Sequence, residues 1–140
     1  MNQIAYRSGY KYQLSEDYSI QVDIFPLVQG NLVNTEFFTL TPYGLLTVKK
    51  GYAWDGPSGP TIDTKTFMRG SLVHDVLYQM MREGYLEHET FREVVDRLLR
   101  KILKEDGMCA MRAWYTYWGV RWFADPCADP AHSKPILYAP

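Results

Sequence analysis

The first third of the chain alternates between apolar and polar residues, as strands do. Residues 19–25 place branched apolar side chains on one face and polar ones on the other, which predicts a half-buried antiparallel strand. Residues 12–14 are expected to pair with it across a turn. Further strands are predicted over residues 36–40 and 45–49, joined by the Pro- and Gly-containing turn 41–44. A small antiparallel meander or a pair of hairpins is the simplest result.

The second half shows the three-to-four-residue spacing of helices. Apolar positions predict a buried helix over residues 66–82, which Gly84 ends. Residues 90–104 form an amphipathic pattern with Arg and Glu on the polar face. A third helix is predicted over residues 108–123, after the break at Gly107.

These elements predict one α+β domain over residues 1–124, with a small N-terminal antiparallel sheet followed by a three-helix unit. Residues 125–140 are rich in Pro, Ala and Asp and are expected to form an extended C-terminal tail or docking arm. A length of 140 residues and an apolar fraction of 46% fit a single globular domain.

Charge and hydropathy exclude several classes of protein. A net charge of −1 argues against a bulk electrostatic grip on nucleic acid, so no nucleic-acid partner is expected. The first ten residues lack the apolar segment of a secretory signal, and no apolar run is long enough to span a membrane. Synthesis in a cytoplasm is the expectation, and a homo-oligomer is left open.

A Gly- and Pro-rich stretch separates the two halves. Residues 51–60 contain three Gly and two Pro, so no regular structure is expected there. Its bare carbonyls and the Asp55 carboxylate are oxygen ligands of the kind that calcium prefers. The alternative is that Asp55 and Ser58 only form local side-chain turns.

Ionisable residues inside the otherwise apolar first helix are the strongest chemical signal. His74 and Tyr78 are four residues apart and share one face, and Asp75 adjoins them. Asp96 lies among apolar positions of the next helix, so an antiparallel helix pair would bring its carboxylate to His74 and Tyr78. A carboxylate on one imidazole nitrogen fixes the tautomer and leaves the other nitrogen as a base. Asp75 could hold a cation beside it.

The same residues admit a purely structural interpretation. A buried His74 bonded to Asp96 would hold the two helices together without any chemistry, as most inward-facing histidines do. An HD-type metal phosphohydrolase needs more ligands than His74, Asp75 and His88 offer. The two cysteines lack the close paired spacing of structural zinc sites.

The His74 arrangement resembles the site of phospholipase A2, where a His-Asp-x-x-Tyr run lies on one helix and a second Asp on its antiparallel neighbour. The resemblance implies that His74 activates water, that Asp75 binds calcium, and that Tyr78 and Asp96 orient His74. The disulfides of the secreted enzymes are missing here, as they are in the viral capsid form of that enzyme. The calcium loop of that family corresponds to residues 52–59, which adds the metal-site candidates Tyr52, Trp54, Asp55 and Gly56 and the site-loop residue Ser58.

A second resemblance covers residues 51–123, where separated motifs occur in a fixed order: Gly51-Tyr52, Asp55, Ser58 and Pro60, then His74-Asp75 and Leu77-Tyr78, then Asp96, then Tyr117, Val120-Arg121 and Phe123. This order resembles an uncharacterised family of bacteria, bacteriophages and prophages, catalogued as a domain of unknown function (number thirteen fifty-three). The resemblance implies a phage or prophage origin and no settled activity. The chain departs from that family at residues 56–57, where a small or apolar pair is more usual.

Aromatic residues make up 15% of the chain, and six of them crowd into residues 114–123. Core packing explains part of this cluster. A lipid interface or a protein interface is the alternative, since Trp and Tyr favour both. The interface candidates are Trp114, Trp118, Trp122 and Arg121.

Two functional hypotheses follow. One is a small phage- or prophage-encoded protein with a calcium-dependent, phospholipase A2-like ester hydrolase site that acts on a lipid ester at a membrane surface. The other is a non-catalytic virion or tail component, incorporated in the particle, that docks on other phage virion proteins. In the second case the His-Asp-Tyr network is structural.

Overall fold

The computed structural model describes residues 4, 6–7, 12–22, 24, 32–54 and 65–123. Within these ranges, two antiparallel sheets precede a three-helix unit, which confirms the predicted α+β class. The predicted tail, 125–140, lies outside the described residues. The elements are β1 (Tyr6–Arg7), β2 (Tyr12–Leu14), β3 (Tyr18–Gln21), β4 (Val33–Asn34), β5 (Phe38–Leu40), β6 (Leu45–Val48), β7 (Ala53–Trp54), α1 (Lys65–Arg82), α2 (His88–Glu105) and α3 (Ala110–Phe123).

The four-stranded sheet has the order β3-β6-β5-β4 and contains the predicted hairpin. Its turn closes where expected, because the Gly44 N–H donates to the Thr41 carbonyl at 3.0 Å and Gly44 adopts a φ of 84°. Both strands of the hairpin place apolar side chains in the core, with Leu40 and Leu46 fully buried. The strand predicted over 19–25 is shorter than expected and ends at Gln21.

The second sheet has three strands in the order β1-β2-β7 and differs from the sequence predictions in two respects. β2 does not pair with β3; it pairs with β1 and β7. The expectation of no regular structure over residues 51–60 is wrong for Ala53–Trp54, which form β7. The physical reason is long-range bonding: the Leu14 N–H donates to the Tyr52 carbonyl and the Gly51 N–H to the Leu14 carbonyl, both at 2.8 Å.

The antiparallel pair α1–α2 forms the framework of the helical half. Its predicted limits are correct to within two residues, and Gly84 and Gly107 take φ values of 85° and 100° after the two helices. Gly70 lets the helices approach closely, because a Cβ atom there would lie 2.9 Å from a methyl carbon of Leu103. Val94 of α2 is exposed although it is apolar.

α3 completes the helical unit by packing on α2. Ala113 is fully buried in a cluster with Leu99 and Leu103, and Val120 packs against the same cluster. No helix in the described part of the chain is long and apolar enough to cross a membrane.

Candidate functional site

His74 lies in the middle of α1, on the face that α2 covers, and is only 8% exposed. Its Nε2 atom lies 2.8 Å from Oδ1 of Asp96, which is fully buried on α2. A carboxylate without solvent contact must be compensated by hydrogen bonds, because burial of an isolated charge is costly. The contact that the sequence suggested between these two residues is therefore present.

Two further side chains saturate the Asp96 carboxylate. The Tyr78 hydroxyl donates to Oδ1 at 2.5 Å, and its ring lies over the imidazole with centroids 4.0 Å apart. Arg121 of α3 donates from Nη1 to Oδ2 at 3.2 Å. Burial, together with the Asp96 charge, raises the pKa of Tyr78, so the phenol remains a donor to the carboxylate.

The other imidazole nitrogen faces a different carboxylate. His74 Nδ1 lies 3.9 Å from Oδ1 of Asp75, whose side chain is 37% exposed. Burial opposes a positive charge on the ring, but the flanking Asp75 and Asp96 outweigh it and raise the pKa of His74 above its usual value. The imidazole thus lies between a buried carboxylate that holds it and an accessible one beside its second nitrogen.

Arg92, which the sequence analysis did not single out, anchors the end of α3 beside this site. Its Nη2 donates to the carbonyls of Val120 and Arg121, at 2.7 and 2.5 Å. Carbonyls in the last turn of a helix lack intrahelical donors, so a guanidinium from a neighbouring helix satisfies them. This contact holds the backbone of Arg121 in place. Arg121, an interface candidate by sequence, also donates to Asp96 and so contributes to the Asp96 network.

The segment that enters the predicted calcium loop lies along α1. The Tyr52 hydroxyl donates to Oε1 of Gln79 at 2.9 Å, and Trp54 Nε1 donates to the Ser71 hydroxyl at 3.0 Å. Ser71, Asp75 and Gln79 are spaced by four and share one helix face. The side chains of residues 52 and 54 therefore contact α1 one turn on either side of Asp75.

The proposed metal ligands are only partly within the described residues. Asp55, Gly56 and Ser58 lie outside them. Tyr52 and Trp54 are buried, and the Tyr52 carbonyl already accepts a hydrogen bond from β2. In the described part of the chain, no group of three or more His, Cys, Asp or Glu side chains is arranged to hold a metal ion.

A stripe of large apolar side chains runs along the outer side of α3. The ring stripe, as we name it, is continuous because neighbouring members contact one another, with Trp114 and Trp118 centroids 6.5 Å apart and Trp118 and Trp122 centroids 5.6 Å apart. Trp114 is 47% exposed and Trp122 68%. The members of the stripe are Met111, Trp114, Tyr115, Trp118 and Trp122.

Comparison with known proteins identifies one family. Residues 33–120, more than half of the chain, match the model of a family described as protein of unknown function (DUF1353). The matched region contains the whole of the His74 network except Arg121. No curated protein and no solved structure matches the chain significantly.

Proposed function

Because the chain belongs to the DUF1353 family, whose description assigns no activity, we propose a function from the site itself: ester hydrolysis with His74 as the general base. The observation that carries the proposal is the 2.8 Å contact between His74 Nε2 and Asp96. This contact occupies one imidazole nitrogen and leaves Nδ1 to exchange a proton with water. Histidines held by a buried carboxylate in this way serve as bases in hydrolases.

Each residue of the network has a distinct task in this reaction. Nδ1 of His74 takes a proton from the water that attacks the ester carbonyl and returns it to the leaving alkoxide. Asp96 orients the ring and stabilises the imidazolium that forms between the two transfers. Tyr78 and Arg121 are positioning residues, because their hydrogen bonds fix the Asp96 carboxylate.

The proposed reaction also uses calcium, as the resemblance to phospholipase A2 implies. Bound calcium would polarise the ester carbonyl. Asp75 is its proposed ligand, supported by a carboxylate that is partly exposed and by residues 52 and 54, which contact α1 on either side of it. The proposed substrate class is a lipid ester.

The test uses His74→Gln in the full chain. A Gln amide reaches the position of Nε2 and still donates to Asp96, so the fold is kept while the base at Nδ1 is removed. We expect ester hydrolysis to fall by roughly 10²–10⁴-fold, the usual contribution of a general base. His88→Gln is the matched control, because His88 begins α2 outside the network, and it should keep full activity.

Hydrolysis is measured on phospholipid and on a short-chain soluble ester, with calcium and with a chelator. Activity that needs calcium and is lost in Asp75→Asn supports the metal assignment. A folded His74→Gln protein as active as the wild type would overturn the catalytic role of His74. No turnover of either ester by the wild-type protein with calcium would overturn the proposed function.

The second candidate is a non-catalytic virion or tail component of a bacteriophage. The exposed ring stripe of α3 favours it, since Trp and Tyr are enriched at protein interfaces. The His74 network would then be structural. Detection of the chain in purified phage particles would support this role, and absence from them would count against it.

A further inference from the structure

We propose that the outer face of α2 and α3 is a docking surface for a negatively charged phospholipid membrane. This inference rests on the proposed hydrolysis of a lipid ester, because the docking surface would bring the His74 site to its substrate. Its evidence is separate: the apolar stripe of α3, a basic groove next to it, and the position of both relative to Asp96.

α3 is apolar on two opposite sides, which is unusual for a helix at the surface. Its inner side packs through Ala113, Tyr117 and Val120 against α2. Its outer side carries the ring stripe, in which Trp122 and Met111 are each 68% exposed. Contiguous exposed apolar patches mark interaction sites, so the exposed side of α3 favours contact with a second apolar surface.

A groove of about 880 Å³ lies between the ring stripe and α2, and its wall is basic. Trp118 belongs to both features, so the rings and the groove form one continuous surface. The basic residues that line it are Arg97, Arg100, Lys101 and Lys104.

The two acidic residues at the groove are paired with cations. Glu93 accepts from Arg97 at 2.5 Å, and Glu105 pairs at 2.9 Å with the buried Arg69, which also binds Asp106. Arg100, Lys101 and Lys104 outnumber the acidic charge that remains, so the groove keeps a net positive charge. Arg100 lies 5.9 Å from the centre of the Tyr117 ring, a distance typical of a cation–π contact.

The combination of rings and lysines favours an anionic lipid surface. Trp and Tyr rings settle at the boundary between lipid headgroups and acyl chains, where their polar edges remain hydrated. Lysines beside them attract anionic headgroups, at about 1 kcal/mol for each cation near the surface. Protein interfaces are depleted in Lys, so a protein partner fits the groove less well.

A second copy of the chain fits poorly for an electrostatic reason. A twofold dimer through this face would bring the basic grooves of both copies together, and like charges repel. An anionic bilayer avoids this repulsion, since it offers an apolar phase to the rings and negative charge to the groove.

The surface also adjoins the candidate site. Trp122, at one end of the ring stripe, follows Arg121, whose guanidinium bonds to Asp96. A membrane that covers the stripe therefore lies against the end of α3 that contributes to the His74 network.

The test is co-sedimentation of the full chain with vesicles, in a chelator so that calcium does not bridge protein and lipid. His74→Gln is introduced throughout, so that no lipid is hydrolysed during the measurement. We expect binding to vesicles of phosphatidylcholine with phosphatidylglycerol, and much weaker binding to phosphatidylcholine alone. Binding should shift tryptophan emission to shorter wavelength, because exposed Trp side chains enter the interface.

Two pairs of variants separate the contributions. Lys101→Gln should weaken binding to the anionic vesicles about fivefold, which corresponds to about 1 kcal/mol. Lys50→Gln is the control, because it removes the same charge from the exposed turn after β6 and should bind as before. Trp122→Ala should weaken binding more than Tyr43→Ala, which removes an even more exposed ring from the hairpin turn.

Several results would overturn the inference: equal binding to neutral and anionic vesicles, no binding to either, or self-association that Trp122→Ala abolishes. Failure here is distinct from failure of the proposed function. If the wild type hydrolyses a soluble ester but does not bind vesicles, only the docking surface is refuted. If it binds anionic vesicles but hydrolyses no ester, only the hydrolase is refuted.

Discussion

At the scale of single residues, Asp96 is the shared hydrogen-bond partner that holds the site together. It has no solvent contact, yet its oxygens receive hydrogen bonds from three different side chains. These three side chains compensate the burial of the carboxylate, and removal of one of them would leave it incompletely compensated. The same contacts support either role of His74, as a base or as a structural link, and activity measurements separate the two.

The raised pKa of His74 makes a prediction about pH. Below about 6.5, the pKa of an unperturbed histidine, the ring is charged in both the folded and the unfolded chain, and the stabilisation by Asp75 and Asp96 is fully present. As pH rises through the higher folded-state pKa, this contribution to the free energy of unfolding is lost. The base is neutral only above that pKa, so hydrolysis should increase with pH over the same range.

The measurement is an NMR titration of the imidazole ring protons in a chelator, with His88→Gln and His132→Gln to assign the signals. Asp75→Asn should lower the pKa of His74, because it removes one of the two flanking negative charges. A His74 pKa at or below 6.5 in the wild type would contradict the electrostatic account.

At the scale of elements, the close approach of α1 and α2 positions Asp96 beside His74. Gly70 permits it, since the space for a Cβ atom is taken by Leu99 and Leu103. The lack of a Cβ atom at Gly70, one helical turn before His74, therefore allows the close spacing of the two helices.

Gly70→Val should lower the free energy of unfolding by roughly 1–3 kcal/mol, the usual cost of overpacking a core. Gly119→Val is the matched control, because a Cβ atom at Gly119 of α3 meets nothing within 4 Å, and its effect should stay within about 0.5 kcal/mol. Chemical denaturation followed by circular dichroism measures both. Equal effects of the two variants would refute the role of Gly70 in helix approach.

At the scale of the whole molecule, Arg69 joins the sheet to the helices. Its side chain is 3% exposed and bonds to Tyr18 of β3 at 2.9 Å, to Asp106 after α2 at 2.9 Å, and to Glu105. Burial raises the pKa of Tyr18, so its hydroxyl stays neutral beside the guanidinium. One cation thus holds three chain segments that are far apart in sequence.

Arg69→Leu should destabilise the fold by about 3 kcal/mol, because it leaves Asp106 partly buried without its cation. Arg97→Leu is the control, since it breaks the exposed pair with Glu93 on one helix and should cost much less. Urea denaturation compares the two. A smaller loss for Arg69 than for Arg97 would contradict the joining role.

The helices and the contact of His74 and Tyr78 with Asp96 could be predicted from the local spacing of apolar residues. The spacing of apolar residues predicted the three helices to within two residues, and the shared face of His74 and Tyr78 and the inward direction of Asp96 followed from the same spacing. These features depend on the period of one helix, which the order of residues expresses directly.

Features that join distant segments of the chain became visible only in the folded molecule. The pairing of β2 with β7, the bonds of Arg69 to Tyr18 and Asp106, and the contact of Arg121 with Asp96 join residues up to fifty-one positions apart. Strand partners and buried ion pairs leave no local period in a sequence, because they depend on which surfaces meet after the chain has packed. The order of residues was therefore enough to identify which residues could form the site, whereas packing determined that Arg121 contacts Asp96 and that the rings of α3 remain exposed beside it.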